Sequence, residues 1–187
     1  MSDDTDSARG RRSRILAGAR IAFLQFGFER SSIADIARGA GVSRTALYHY
    51  FPGKEEVLRA VVDELHAATI QASREVLAEF QPLDAVLIGL LEAKFGRTLA
   101  LLIESPHGAE LIDATHRLTG PATRVADEAF HGLVVEALVR HGREAEADAV
   151  ADTIVAAAKG LLRSGDGLVS SAKYKERVRR LIKWATG

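Results

Sequence analysis

The chain has no cysteine. That removes disulfides and thiol nucleophiles from consideration and fits a reducing compartment. No apolar stretch opens the chain as a secretory signal would, and no apolar run approaches the roughly 20 residues of a membrane span. The expected setting is therefore the cytoplasm, with no membrane partner. Glycine-rich phosphate loops, a nucleophile elbow and an HExxH motif are all missing, so neither an enzyme nor a cofactor is expected. Strands, repeats and low-complexity tracts are also wanting, which leaves an all-α reading. Net charge is absent too: 25 basic residues balance 25 acidic ones across 187 positions. A neutral average by itself argues against a nucleic-acid partner, but the average conceals an uneven distribution.

Between Arg9 and Lys54 nine Lys or Arg side chains face only Glu29 and Asp35, whereas Glu55 to Ser170 holds ten basic and nineteen acidic residues. One end of the chain attracts phosphate and the middle repels it. The basic end opens with a polar, acidic leader, Met1 to Ala8, expected to be disordered. An arginine cluster follows, Arg9, Arg11, Arg12 and Arg14, which reads either as a solvated helix start or as a phosphate-contacting arm. Ile15, Leu16, Ala19, Ala22, Phe23 and Phe26 then repeat at helical spacing up to Gly27, a glycine suited to a helix C-cap.

The stretch from Ser31 to Lys54 organises the rest. Ser32 is placed to cap a helix carrying Ile33, Ile36, Ala37 and Ala40 on one stripe, with Asp35 as its capping-box partner. Gly41 can take the left-handed conformation that stops this helix, and Ser43 can cap the next. The second helix, expected from Arg44 to Phe51, would pack through Val42, Leu47 and Phe51. That packing turns Arg44, Thr45, Tyr48 and His49 outward, a cationic, hydrogen-bonding and aromatic set of the kind a major-groove reader needs.

Ile36-Ala37-x-x-Ala40-Gly41-Val42-Ser43, then Leu47-Tyr48-x-x-Phe51 and Lys54-Glu55-x-x-Leu58, resembles the DNA-binding signature of the TetR family of bacterial transcriptional regulators. The likeness runs from about Ile15 to Leu65. It implies an N-terminal three-helix helix-turn-helix domain, residues 1–53. It also implies a C-terminal helical ligand-binding and dimerisation domain, residues 54–187, with about nine helices in all. By matching position, Ser32, Tyr50 and Lys54 would hold phosphates beside Ser43, Arg44 would read guanine, and Thr45, Tyr48 and His49 would meet bases or backbone. Many members carry glycine where this chain has Thr45, so the family's operator preferences do not transfer.

Beyond Pro52-Gly53 a long helix is expected from Lys54, with Val57, Leu58, Val61 and Val62 on one face. A nearly apolar helix should run from Pro82 to about Ser105-Pro106, and a short one from His107 to Ala114. A turn at Thr119-Gly120-Pro121 and a helix from Ala122 to His141 should follow. Phe95, Leu99, Leu102 and Phe130 can wall an effector pocket of the sort the resemblance implies, with His107 and His116 as its polar groups. The same cluster, Glu104, His107, Glu110 and His116, reads equally as an ordinary polar junction, and too loosely for a metal site. Each apolar member also reads as plain core.

From Glu144 to Ser164 a helix is expected whose charges, Asp148, Asp152, Lys159 and Arg163, fall within an arc of about 60°. Its small side, Ala149, Thr153, Ala156, Ala157, Gly160 and Ser164, reads as a dimer face or as a contact within one chain. Tyr174, Val178, Leu181 and Ile182 on the last helix would complete a four-helix bundle with a two-fold mate. The expectation is a repressor that binds double-stranded operator DNA as a homodimer and is released by a small organic effector. The competing reading is a helical enzyme or ligand-binding protein whose N-terminal signature no longer serves DNA.

Overall fold

Serine and glycine write most of the helix boundaries in the first fifty residues. The computed structural model describes residues 2–165 and 167–186, and over these the chain is almost wholly helical. It divides into two compact units, one comprising Met1–Leu65 with Glu104–Gly120, the other His66–Ile103 with Pro121–Gly187. This division differs from a boundary at residue 53. Val57, Leu58, Val61 and Val62 of the fourth helix are buried, and residues 54–65 belong to the first unit.

In the first unit α1 (Ser2–Phe26) packs on α2 (Ile33–Ala40). The leader expected to be disordered is helical from Ser2; Met1 lies outside the described residues. Ile15, Leu16, Ala19, Ala22 and Phe23 are buried as the stripe requires, while Phe26 at its end stays 38% exposed. The two helices nearly touch at Gly18. A Cβ built there would lie 2.6 Å from the Ala40 nitrogen and 2.9 Å from the Gly39 carbonyl carbon, backbone atoms that cannot swing away. Ser32 caps α2 in a full capping box: its hydroxyl accepts from the Asp35 amide at 3.2 Å, and the Asp35 carboxylate accepts from the Ser32 amide at 3.0 Å. Gly41 ends the helix at φ 64°, a left-handed angle that a side chain would strain. Ser43 then caps α3, which covers only Arg44–Tyr48; the chain turns at His49 and Tyr50, where the amides of Tyr50 and Phe51 both donate to Leu47.

α4 (Lys54–Ala78) follows, then α5 (Leu83–Leu91), a π-helical turn at Glu92–Gly96 and α6 (Arg97–Glu104). The single helix expected from Pro82 to about Ser105 is therefore present from Leu83 to Glu104, with a π-helical turn inside it. Beyond it Leu99 is buried while Leu101, about 200° farther round α6, faces outward at 45% exposure. The expected turn at Thr119-Gly120-Pro121 is absent: α7 runs unbroken from Gly108 to Arg140 with Pro121 inside it. Gly120 before the proline has no Cβ to meet its ring.

The second unit contains α5, the π turn, residues 121–140 of α7, a 3-10 turn at Glu144–Glu146, α8 (Ala147–Gly160) and α9 (Ser171–Thr186). A two-residue antiparallel hairpin, Arg163–Ser164 against Gly167–Leu168, precedes α9. Ser164 is therefore on this hairpin and not on the helix expected to reach it. α9 packs on α5 and α8, and its Tyr174, Val178 and Ile182 are wholly buried in the unit's own core. These three cannot offer surface to a mate, which corrects their placement on a dimer face. Among the described residues no helix is long and apolar enough to cross a membrane.

Candidate nucleic-acid interface

Leu47 positions the candidate reading surface. It is the one fully buried side chain of α3, so the helix is seated by a single anchor and turns Arg44, Thr45, Tyr48 and His49 into solvent. Tyr48 is 55% exposed, an unusual cost for an aromatic ring unless something stacks on it. Arg44 has no carboxylate partner among the described residues, which leaves its guanidinium fork available. Ser43 and Ser32 are exposed, yet each hydroxyl already serves as a cap, and Tyr50 is half-buried.

Lys54 is placed differently from expectation. Its ammonium donates to the carbonyls of Phe28 and Glu29 at 2.8 Å and of Ser31 at 3.2 Å, and it lies 4.6 Å from the Phe28 ring centroid. All three donors are engaged, so Lys54 fixes the turn between α1 and α2. Sequence reasoning missed this role because carbonyls carry no sequence signature. Ser31 braces the same turn from within, its buried hydroxyl donating to the carbonyls of Gly27 at 2.5 Å and Ala22 at 3.1 Å.

The start of α7 also reaches this turn. Glu110 accepts from the Glu29 amide at 2.8 Å, Arg117 pairs with the Glu29 carboxylate at 2.9 Å, and the Ser105 hydroxyl donates to the Leu24 carbonyl at 2.7 Å. Arg30 donates to His107 Nε2 at 2.9 Å. The same guanidinium nitrogen lies 3.3 Å from His107 Nδ1, which is itself 3.4 Å from the Glu110 carboxylate. A cleft of about 290 Å³ lies here, lined by Gln25, Phe26, Arg30, Asp35 and His107. The Asp35 carboxyl is held below the usual aspartate range, first by the Ser32 hydroxyl, then by the Ser32 amide and Arg38.

The expected effector set is split between the units. Phe95, Leu99, Leu102 and Phe130 lie in the second; His107, bound as above, and exposed His116 lie in the first. Among the described residues no three metal-binding side chains gather. What the second unit brings together is Phe95 with Phe130 and Tyr174, edge to face at centroid distances of 6.3 and 6.4 Å. Tyr174 is fully buried, and its hydroxyl has no hydrogen-bond partner among the described residues. Burial, and then the Glu92 carboxylate, push its pKa up, so it remains a neutral donor.

On α8 the small side is open. Ala149, Thr153, Ala156 and Gly160 are exposed and Ala157 partly so, with Leu181 half-buried and Trp184 80% exposed on α9.

Residues 15–61 match the family model described as bacterial regulatory proteins, tetR family. The chain is 36% identical over 89 residues to the probable HTH-type transcriptional regulator ArpR of Pseudomonas putida, covering 46% of this chain and 42% of that one. It is 31% identical over 119 residues to the HTH-type transcriptional repressor KstR2 of Rhodococcus jostii, covering 62% and 50%. It thus spans about half the length of the curated relatives it matches. Across the whole length, the fold is that of a TetR/AcrR-family regulator from Aquifex aeolicus, with a TM-score of 0.71, 19% identity, and 93% and 98% coverage. The head, residues 15–61, thus matches the model of the tetR family of bacterial regulatory proteins, and the all-α fold is similar to that of the solved regulator.

Proposed function

We propose that the chain is a one-component transcriptional repressor that binds a pseudo-palindromic operator as a homodimer and is released by a small organic effector. One observation carries the reading: α3 turns an unpaired Arg44 with Thr45, Tyr48 and His49 outward, on a head fixed by the capping box and by Lys54. Arg44 forks onto a guanine edge, Thr45 meets a base edge or thymine methyl, and Tyr48 and His49 reach bases or neighbouring backbone. Ser32, Ser43 and Tyr50 face the phosphates, while Lys54 acts by holding the turn that presents them. The matched relatives' names, one a repressor, support the assignment.

Dimerisation uses the open small side of α8 together with Leu181 and Trp184 of α9. The effector is mainly apolar with one hydrogen-bond acceptor, which the buried Tyr174 hydroxyl would satisfy beside Phe95 and Phe130. Its occupancy reaches the head along α4, which is continuous through Leu65. Fluorescence anisotropy with duplex DNA tests the reading. Tight binding that falls steeply with salt supports it, and binding indistinguishable from that of an acidic control protein abolishes it.

A further inference from the structure

We propose that the effector is an apolar monoanion, whose carboxylate binds the Lys94 ammonium in place of the Asp127 carboxylate. This rests on the effector reading above and specifies the charge of the ligand at that site.

Lysine is seldom buried, because taking an ammonium out of water is costly unless a partner offsets it. The Lys94 side chain is nonetheless only 11% exposed, while Asp127, which accepts from it at 2.5 Å, is 45% exposed. The cation is therefore fixed inside the second unit and its anion stands at the edge. Lys94 sits on the π-helical turn Glu92–Gly96, and its ammonium lies 5.2 Å from the centroid of the fully buried Phe130 ring. An ammonium has three donors, and Asp127 is the one acceptor bound to this one among the described residues.

Phe130 meets Phe95, and Phe95 meets Tyr174, so Lys94 and Tyr174 stand at the two ends of one run of rings. Tyr174 brings a buried hydroxyl with no partner. A purely structural ion pair balances Lys94 but leaves this second donor without an acceptor. The ligand that completes the set carries oxygen at both ends and apolar surface between them. The ends differ in sign. Glu92, held by Lys175 at 3.4 Å, acts electrostatically on Tyr174, so a second anionic group there would meet that carboxylate and a neutral oxygen suits the phenol. At Lys94 an incoming carboxylate keeps the ammonium paired throughout. The displaced Asp127 carboxylate is already half in water, so the exchange leaves no charge buried and unpaired.

The test uses the full-length chain and two matched sets of probes, titrated by calorimetry at neutral pH. One set is decanoate, decanol and decylamine; the other is phenylacetate, phenylethanol and phenylethylamine. In at least one set the acid should bind about tenfold or more tighter than the alcohol, with the amine weakest. Lys94→Met should remove the acid's advantage, and Lys94→Arg should retain it. Asp127→Asn should tighten the acid by about tenfold and leave the alcohol unchanged, since it removes the competing carboxylate. A lysine with a structural role alone would give no such tightening. Should Lys94→Met fail to fold, the half-exposed Asp127→Asn carries the test. Acid and alcohol bound equally, or an acid held no tighter by Asp127→Asn, overturns this inference and leaves the effector reading standing. No binding of any probe in either set overturns both.

Discussion

Lys54 donates to the carbonyl of Phe28 at 2.8 Å while its ammonium lies 4.6 Å from the centre of that residue's ring. With the Glu29 and Ser31 carbonyls completing its donors, one side chain from the start of α4 holds the whole turn that leads into α2. Lys54→Ala should therefore destabilise the free protein by about 1–3 kcal/mol, since it leaves the half-buried Phe28 and Ser31 carbonyls without their charged donor. Thermal or chemical denaturation without DNA measures this. An unchanged midpoint combined with a salt slope reduced by about one would return Lys54 to a phosphate contact.

Gly18 and Gly39 make opposite predictions although they face each other. A Cβ on Gly18 meets the Ala40 nitrogen at 2.6 Å, whereas one on Gly39 meets nothing closer than 3.4 Å. Gly18→Ala should cost at least about 1–3 kcal/mol by forcing α1 off α2, and Gly39→Ala should be tolerated. Urea denaturation of the pair decides it.

The capping box sets a pH dependence. Hydrogen bonds from Ser32 lower the Asp35 pKa, so the stabilisation is complete above the ordinary aspartate range and is lost as pH falls through the depressed folded value. Ser32→Ala should lower the melting temperature at neutral pH, and the gap from wild type should narrow as pH falls below about 4 and through the depressed Asp35 value, leaving the part due to the cap on the Asp35 amide. A gap that stayed constant down to pH 2 would show that the box contributes nothing through Asp35.

Gly160→Glu probes the proposed dimer face cleanly, because a Cβ at Gly160 meets no atom within 4 Å in the single chain. The fold should survive, and sedimentation should show the dimer mass lost or its dissociation constant raised by at least a factor of ten, through an unpaired carboxylate at the interface. An unchanged dimer would move the interface off α8.

Much of the head was legible from its residues. Ser32, Asp35, Gly41 and Ser43 act through side chains or φ angles that their chemistry announces, and the outward set on α3 follows from Leu47 alone. What was not legible depends on partners distant in sequence or on relief of a local conflict. Pro121 ordinarily ends a helix, yet Gly120 removes one clash and the chain continues. The π turn at Glu92 changes a register that periodicity assumes constant. Tyr174, Val178 and Ile182 formed a stripe that any partner could have covered, and α5 and α8 of the same chain cover it. His107 carried the right chemistry for a ligand contact, but Arg30 and Glu110 take both of its ring nitrogens.

Selection of duplexes from a random pool by the wild type and by Arg44→Ala measures the central claim directly. The wild type should enrich a pseudo-palindrome whose half-site centres are about 34–36 Å apart or somewhat more. Arg44→Ala should weaken it by about 1–3 kcal/mol and relax one position in each half-site, leaving the others intact. If the wild type enriched no sequence, or the variant returned the same motif at every position, α3 would not be the element that reads DNA.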